Sequence, residues 1–367
     1  MSSSLNLAII AGDGTGPEVT EQGLRVLDAV TNPLGIAVAL KQFDFSGQRF
    51  LDRGHVLHDE ELDQLRSYDA IYFGAIGHPD VAPGILERGL LLKMRFDLDQ
   101  YINLRPVKLY PGISTPLAGR GPEDIDLVVV RENTEDLYAG GGGTARKNTP
   151  HEISTQEMLA TRYGVERCVR YAFDLAVDRK KDGHPGKLTL VHKTNVLTHA
   201  GGTWFRCFQE VAEEYQDITT EYHHVDACCM YMVSDPSQYD VVVTSNMFGD
   251  IITDLGAMIA GGMGIAASGN INPDPDAKSP SMFEPVHGSS PDIAGQNKAN
   301  PLAAIDTLAL LLKETARQKA DMTLAKAGER IAAAVQKVTP NFTGKRLDRS
   351  GYTTTEIGDM VLDALGD

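Results

Sequence analysis

An α/β fold with a largely parallel sheet, divided into about two domains, is what the sequence predicts. Three observations carry that prediction. Short apolar runs alternate with segments of helical periodicity along most of the chain. Several runs stop abruptly at glycine or at unusual polar residues, and in open α/β sheets ligands bind outside the strand carboxyl ends. A length of 367 residues is ample for a real core and suggests about two domains.

In chain order, Leu7-Ala8-Ile9-Ile10 is the first strand. The run Gly12-Asp13-Gly14-Thr15-Gly16-Pro17-Glu18 turns it into a helix through Val19, Leu24 and Leu27, with Pro17 in the first turn. Its spacing is Gly-x-Gly-x-Gly rather than Gly-x-Gly-x-x-Gly, so it is not read as a Rossmann loop; a turn needing positive φ explains the glycines. Helical patterning from Glu60 to Ser67 leads to the buried strand Ala70–Phe73. That strand stops at Gly74-Ala75-Ile76-Gly77, where small residues admit a flat ligand to the backbone. After Gly89 the chain tends to helix as far as Arg95, and residues 101–107 read as extended. Pro111-Gly112 and the run 119–124 mark loops. Ile125–Val130 is a strand that ends in Arg131-Glu132-Asn133-Thr134-Glu135-Asp136-Leu137-Tyr138. Glycines 140–143 and the polar stretch to Pro150 predict a flexible excursion, followed by a helix from Thr155 to about Arg179. Leu188–His192 is a strand with Lys193-Thr194-Asn195 at its end, a helix covers Thr203 to Glu214, and Tyr222–Val225 leads to Asp226. Val241-Val242-Val243 is a buried strand that enters Ser245-Asn246-Met247-Phe248-Gly249-Asp250-Ile251-Ile252-Thr253-Asp254. Residues 261–264 and 269–270 read as loops, and 301–313 and 324–335 as helices. Thr353 and Glu356 form a capping box ahead of the last helix.

Chemistry gathers at the strand ends. Asp250 and Asp254, spaced i,i+4, share one face of a helix; this is either a solvated acidic face or a pair that shares a hard divalent cation. Arg95, Arg105 and Arg131 lie in or beside apolar segments; three guanidinium forks converging on one cleft would hold a di- or tricarboxylate, and a surface or core-edge arginine is the plainer reading of each alone. Lys193, after an apolar strand, suits proton abstraction, and Tyr138 suits a general acid; an ordinary strand-end lysine and a core tyrosine are the plainer readings. The net charge of -16 argues against nucleic acid and anionic membrane surfaces. No apolar run reaches the ~18 residues of a membrane span, and the N-terminus carries no basic leader, so a cytoplasmic protein is expected. Cys168, Cys207, Cys228 and Cys229 lack metal-ligand spacing and read as reduced structural thiols.

The motifs together resemble the β-decarboxylating dehydrogenases that act on isopropylmalate, isocitrate and D-malate or tartrate. The resemblance runs from Leu7 to about Ala304 through Gly12–Glu18, Asn103-Leu104-Arg105-Pro106, Arg131–Glu135, His192–Asn195, Asn246–Asp250 and Glu284-Pro285-Val286-His287-Gly288. It implies a two-domain fold that is not a Rossmann fold, with an interdomain cleft. A discontinuous NAD-binding domain would span 1–106 and 259–367, and a central substrate, metal and dimerisation domain 107–258. It also implies metal-dependent oxidation of a 2-hydroxy acid by NAD(P), followed by loss of CO2. On this resemblance Arg95, Arg105 and Arg131 form the carboxylate clamp. Lys193 of a partner subunit is the base, with Asn195 beside it, and Tyr138 protonates the enol. Asp250 and Asp254, with Asp226 from the other subunit, hold Mg2+ or Mn2+, so a homodimer with shared sites is expected. The cofactor would lie against Gly74, Ala75, Ile76, Glu284, His287, Gly288, Ser289, Ser290, Asp292, Ile293 and Asn300. Asp292 accepts a ribose 2'-hydroxyl and repels a 2'-phosphate, which implies NAD.

The substrate branch follows from the residues before Arg95. Glu87-Arg88-Gly89-Leu90-Leu91-Leu92 is apolar where isocitrate-type enzymes place Ser-x-Asn, and an isopropyl group would be buried against Leu90 and Leu91. The wording is similar to the actinobacterial type of the isopropylmalate branch, one residue longer before Arg95 than the commoner bacterial type. Ser245-Asn246 and Arg131–Glu135 are instead similar to the D-malate/tartrate branch. Isopropylmalate oxidation in leucine biosynthesis is the expectation and D-malate or tartrate the alternative. A catalytically silent nucleotide- or anion-binding paralogue is disfavoured because every catalytic and metal position is filled.

Overall fold

The computed structural model describes residues 3–277, 279–345, 347 and 350–366. The elements begin with β1 (Ser4–Gly12), α1 (Gly16–Thr31), β2 (Ala37–Gln42), α2 (Gly47–Arg53), α3 (Asp59–Leu65) and β3 (Ala70–Ala75). They continue with α4 (Lys93–Asp97), β4 (Ile102–Lys108), β5 (Asp126–Glu132), β6 (Gly142–Ala145), β7 (Ile153–Gln156) and α5 (Arg162–Lys181). Next come β8 (Lys187–His192), α6 (Ala200–Ala212), β9 (Thr219–His224), α7 (Val225–Ser234), β10 (Val241–Thr244) and α8 (Asn246–Ile259). The chain closes with β11 (Ala267–Ile271), β12 (Ser281–Pro285), α9 (Leu302–Lys319), α10 (Met322–Val338) and α11 (Thr354–Gly366). Among the described residues, no helix is long and apolar enough to cross a membrane.

The chain divides into two units. The first comprises Met1–Gln100, Lys108–Pro122 and Ala257–Asp367, and the second Tyr101–Val107 and Glu123–Gly256. The expected boundaries differ around residue 107. Residues 101–107 go with the second unit because β4 lies beside β5. Residues 108–122 go with the first, where Tyr110 donates to Asp306 at 3.1 Å and Gly112 abuts Pro340.

In the first unit the strands run β2-β1-β3-β12-β11, parallel except for the β11–β12 pair. Ile10 and Phe73 from the sheet meet Leu86, Leu90, Met94 and Leu98 in one apolar cluster. On the motif Gly12–Glu18, Gly12 and Gly14 do have positive φ, 72° and 59°. The buried Asp13 carboxylate accepts from the backbone N–H of Gly47 at 2.9 Å and of Gly77 at 3.1 Å. The loop therefore ties three chain segments together.

In the second unit the order is β4-β5-β10-β8-β9, with β5, β10, β8 and β9 mutually parallel. The Val241–Val243 run is fully buried between β5 and β8, as its unbroken apolar character predicts. Residues 142–156 depart from expectation. Ile153–Gln156 is a strand paired antiparallel with Gly142–Ala145, not the start of a helix. Helix α5 begins only after Thr161, whose hydroxyl accepts from the Gly164 N–H at 2.9 Å as an N-cap. Gly269 and Asn270, expected in a loop, lie in the buried strand β11. The capping box is present: Thr353 N–H donates to Glu356 at 2.8 Å and Glu356 N–H to the Thr353 hydroxyl at 3.2 Å. All four cysteines are free, and burial pushes the Cys207 and Cys228 thiols up to about 11.

Candidate active site

In the second unit the parallel register sets Thr244 level with Arg131 on one side and Val191 on the other. The ends of β5, β10 and β8 therefore deliver Arg131, the start of α8 and Lys193 to the same edge. Arg131 is 1% exposed. Its Nε and an Nη donate to Asn246 Oδ1 at 3.0 and 2.7 Å, and the other Nη donates to Asp250 Oδ1 at 2.5 Å. The guanidinium also lies 5.2 Å from the Tyr138 ring centroid. Such a cation is aimed, not merely present. Gly249 makes the arrangement possible, because a Cβ there would stand 2.3 Å from Arg131 Cγ.

The Tyr138 hydroxyl donates to Asp250 Oδ2 at 2.9 Å. Burial, followed by the Asp250 charge, raises the Tyr138 hydroxyl above its ordinary range despite the opposing pull of Arg131. Burial works to raise Asp250, but Arg131, the Tyr138 hydroxyl and Arg105 outweigh it and hold the carboxyl below its usual value. Sequence reasoning gave no role to Asn246 or Asp136, which both serve this cluster. Asp136 adopts φ 66° and accepts from the Met247 N–H at 2.8 Å, docking the Tyr138 turn onto the first turn of α8. The signal for both lay inside motifs already singled out.

Lys193 pairs with Asp226 at 2.6 Å and neither contacts the Arg131 cluster of its own chain. Asn195 and Asp254 are exposed. Arg105 Nε donates to Asn103 Oδ1 at 2.8 Å.

In the first unit, Arg95 is buried and donates to Glu284 Oε1 at 3.1 Å, an oxygen that also accepts from Asn270 at 2.8 Å. Residues Glu87–Leu92 form a turn of π-helix, which holds more residues per turn than α-helix. The wide turn keeps Leu86, Leu90, Met94 and Leu98, four residues apart each time, in one core. Separately, a cavity of about 650 Å³ is lined by Thr15, Met263, His287, Ser290, Ile293 and Asn300, among others. Thr15 N–H donates to Ser289 O at 2.8 Å, so the Gly12–Glu18 turn shapes the loop that borders it.

The sequence model of the isocitrate/isopropylmalate dehydrogenase family matches residues 6–361. The chain belongs to that family. The 3-isopropylmalate dehydrogenase of Thermobifida fusca (strain YX) is 52% identical over 359 residues, covering 98% of this chain and 97% of the relative. That of Streptomyces coelicolor is 52% identical over 361 residues, covering 98% of each. Among solved structures, the isocitrate dehydrogenase from Methylococcus capsulatus superposes with a TM-score of 0.83 at 32% identity, covering 99% of this chain and 100% of that one. This chain is accordingly an oxidoreductase of the isocitrate/isopropylmalate dehydrogenase family.

Within that family frame, several expected contacts are placed differently. Leu90 is 0% exposed inside the core and offers no surface to a ligand, whereas Leu91 and Leu92 stay partly exposed. Gly74 and Ala75 are the buried last two residues of β3; a Cβ at Gly74 would meet Ala11 O at 2.4 Å, so this glycine serves strand packing. Ile76 packs against the apolar core. The Glu284 carboxylate faces Arg95 and Asn270 rather than the cavity. Of the expected cofactor residues, His287, Ser290, Ile293 and Asn300 line the cavity, and Gly288, Ser289 and Asp292 belong to the same loop. Among the described residues the buried Nε2 of His287 has no partner, a polar atom left open in a cavity wall, which fits a polar ligand there. For a divalent ion the donor set is all carboxylate, which suits a hard cation. No group of three metal-ligating side chains occurs among the described residues of one chain. Asp250 and Asp254, one turn apart on α8, are carboxylates of the kind such an ion takes.

Proposed function

We propose that the chain catalyses the NAD- and divalent-metal-dependent oxidative decarboxylation of (2R,3S)-3-isopropylmalate to 4-methyl-2-oxopentanoate and CO2, a step of leucine biosynthesis in the cytoplasm. The observation that carries it is the buried Arg131, aligned by Asn246 and Asp250 and set against the Tyr138 hydroxyl. A carboxylate-binding cation beside a proton donor is what a decarboxylating site needs. The full-length identity to relatives named 3-isopropylmalate dehydrogenase supports the substrate.

In this reading Arg131 and Arg105, with Arg95, hold the substrate carboxylates. Lys193 of a second copy takes the proton of the 2-hydroxyl, and Asn195 stands beside it. Tyr138 returns a proton to carbon after CO2 has left, a role for which a hydroxyl that stays protonated is suited. Asp250 and Asp254, with Asp226 of the second copy, are the residues for Mg2+ or Mn2+. A bound ion would supply Lewis acidity toward the hydroxyl and its carboxylate, and bound NAD the hydride acceptor. A second copy is part of this reading, supported by Asp226 pairing with Lys193 and by the absence of any three-residue metal-ligating group among the described residues of one chain. Exposed Met230, Tyr231 and Val233 on α7 give a copy an apolar face to meet. Asp292 in the cofactor loop favours NAD over NADP.

D-malate is the second reading, on the wording around Ser245. Burial does not decide between the two readings, because Ser245 at 2% exposed and Arg131 at 1% are alike. Isopropylmalate remains the better reading, with Leu91 and Leu92 as the partly exposed apolar residues beside Arg95. The test is Mg2+-dependent NADH formation from 3-isopropylmalate with 4-methyl-2-oxopentanoate as product. Absence of turnover in the presence of Mg2+ and NAD would remove the assignment.

A further inference from the structure

The turn that carries Lys193 is tied to the neighbouring strand by one side chain that the reading above does not use. β8 and β9 pair in parallel with Leu190 opposite Tyr222 and His192 opposite His224. Period two along a strand puts Tyr222 and His224 on one face. There the Tyr222 ring is wedged edge-on between Phe205 of α6, at 5.3 Å, and His224, at 5.2 Å. The hydroxyl is thereby aimed at the residue between Lys193 and Asn195. The Thr194 N–H donates to Tyr222 Oη at 3.0 Å, the Thr194 hydroxyl lies 2.8 Å from the same oxygen, and His224 Nδ1 lies 3.0 Å away. A phenol has one donor and two lone pairs. With His224 Nδ1 accepting, Tyr222 donates to it and accepts from both Thr194 groups, so its capacity is complete.

We propose that Tyr222 is a positioning residue for the reaction. It holds the Lys193-Thr194-Asn195 turn, and through it the Lys193 amine, in the geometry the proton transfer requires. Beyond Thr194, the turn is closed by its own backbone, with Lys193 O accepting from Val196 and Leu197 N–H at 3.2 and 2.9 Å. Among the described residues the Lys193 amine reaches Asp226 alone. Tyr222 is thus the tie from this turn to β9 that fixes both polar groups of Thr194. The inference rests on Lys193 being the base.

The test uses the full-length protein with NAD, Mg2+ and 3-isopropylmalate. Tyr222→Phe keeps the ring between Phe205 and His224 and deletes only the hydroxyl. Its kcat is expected to fall about tenfold or more, since a misplacement of about 1 Å can cost on the order of 100-fold. KM and the melting temperature should stay near wild type. Thr194→Val, which loses the hydroxyl but keeps the N–H to Tyr222, should show part of the loss, Thr194→Ser should retain most activity, and Tyr222→Phe combined with Thr194→Val should be no worse than Tyr222→Phe alone. Wild-type kcat in Tyr222→Phe, or a lowered melting temperature with kcat intact, overturns the proposal. Should Tyr222→Phe not fold, the contrast between Thr194→Val and Thr194→Ser decides in its place. Lys193→Met separates the two readings. If it is inactive while Tyr222→Phe is normal, only the positioning role fails; if it retains activity, the base assignment fails and the positioning role with it.

Discussion

Gly249→Ala is the sharpest test of how the Arg131 cluster is built. Helix propensity alone favours alanine inside α8 by about 1 kcal/mol. The structure predicts the opposite sign. The new Cβ would stand 2.3 Å from Arg131 Cγ, 2.7 Å from its Cβ and 2.8 Å from its Cδ. Carbon atoms rest at about 3.5–4.0 Å, so the arginine stem must move by about 1 Å. That stem is anchored by β5 and its head by Asn246 and Asp250, which leaves nowhere cheap to go. Overpacking of this kind costs about 1–3 kcal/mol, and a displaced guanidinium costs on the order of 100-fold in kcat/KM. Urea unfolding and NADH formation measure the two effects. Gly202→Ala in α6 is the control, because its Cβ would meet only the mobile tip of Arg206 at 3.1 Å. Wild-type stability and kcat/KM in Gly249→Ala would refute the argument that this glycine exists to admit Arg131.

Three further outcomes follow from the same geometry. His192 is 0% exposed, and burial lowers it from the ordinary 6.5 to about 4. Its contribution to stability is therefore full above pH 6.5 and is lost as pH falls toward 4, by about 3 kcal/mol. Subtracting the stability curve of His192→Leu from that of wild type should reveal this slope, and a flat difference would contradict it. Asp254→Asn should raise the Mg2+ concentration needed for half-maximal activity by about tenfold or more while leaving thermal unfolding of the metal-free protein unchanged; an unaltered Mg2+ requirement would remove Asp254 from the ligand set. Lys193→Met and Asp250→Asn should each be inactive alone, yet co-refolded in equal amounts they should recover about a quarter of wild-type activity if two copies share a site. No recovery would place the whole site within one chain.

Much of this was legible in the sequence because the buried strands of a parallel sheet are written as unbroken apolar runs. Val241–Val243, Ile125–Val130 and Leu188–His192 each appear as strands, and the polar residues that follow each run are the ones the sheet register brings to one edge. What escaped had a weaker signal. Strand β2, Ala37–Gln42, opens on the apolar run Ala37–Leu40 but is largely exposed, so that run does not mark a buried strand. Gly269 lies inside a buried strand because Phe283 Cε1 would sit 3.0 Å from any Cβ there, a constraint set by a residue 14 positions away. The hairpin of β6 and β7 is exposed throughout, so no apolar periodicity marks it. At the site, Leu90 could not be told from Leu91 by composition, since a π-turn decides which of them enters the core. Asp136 stands inside a motif, and nothing local in the sequence marks it as the cap that joins that motif to α8.

The central claim is that this site turns over 3-isopropylmalate in preference to smaller 2-hydroxy acids. Initial rates of NADH formation at equal concentrations of 3-isopropylmalate and D-malate, with saturating NAD and Mg2+, test it most directly. A kcat/KM at least about tenfold higher for 3-isopropylmalate is the predicted result, as burial of an isopropyl group at about 0.8 kcal/mol per buried methylene requires. Equal rates, or a preference for D-malate, would contradict it.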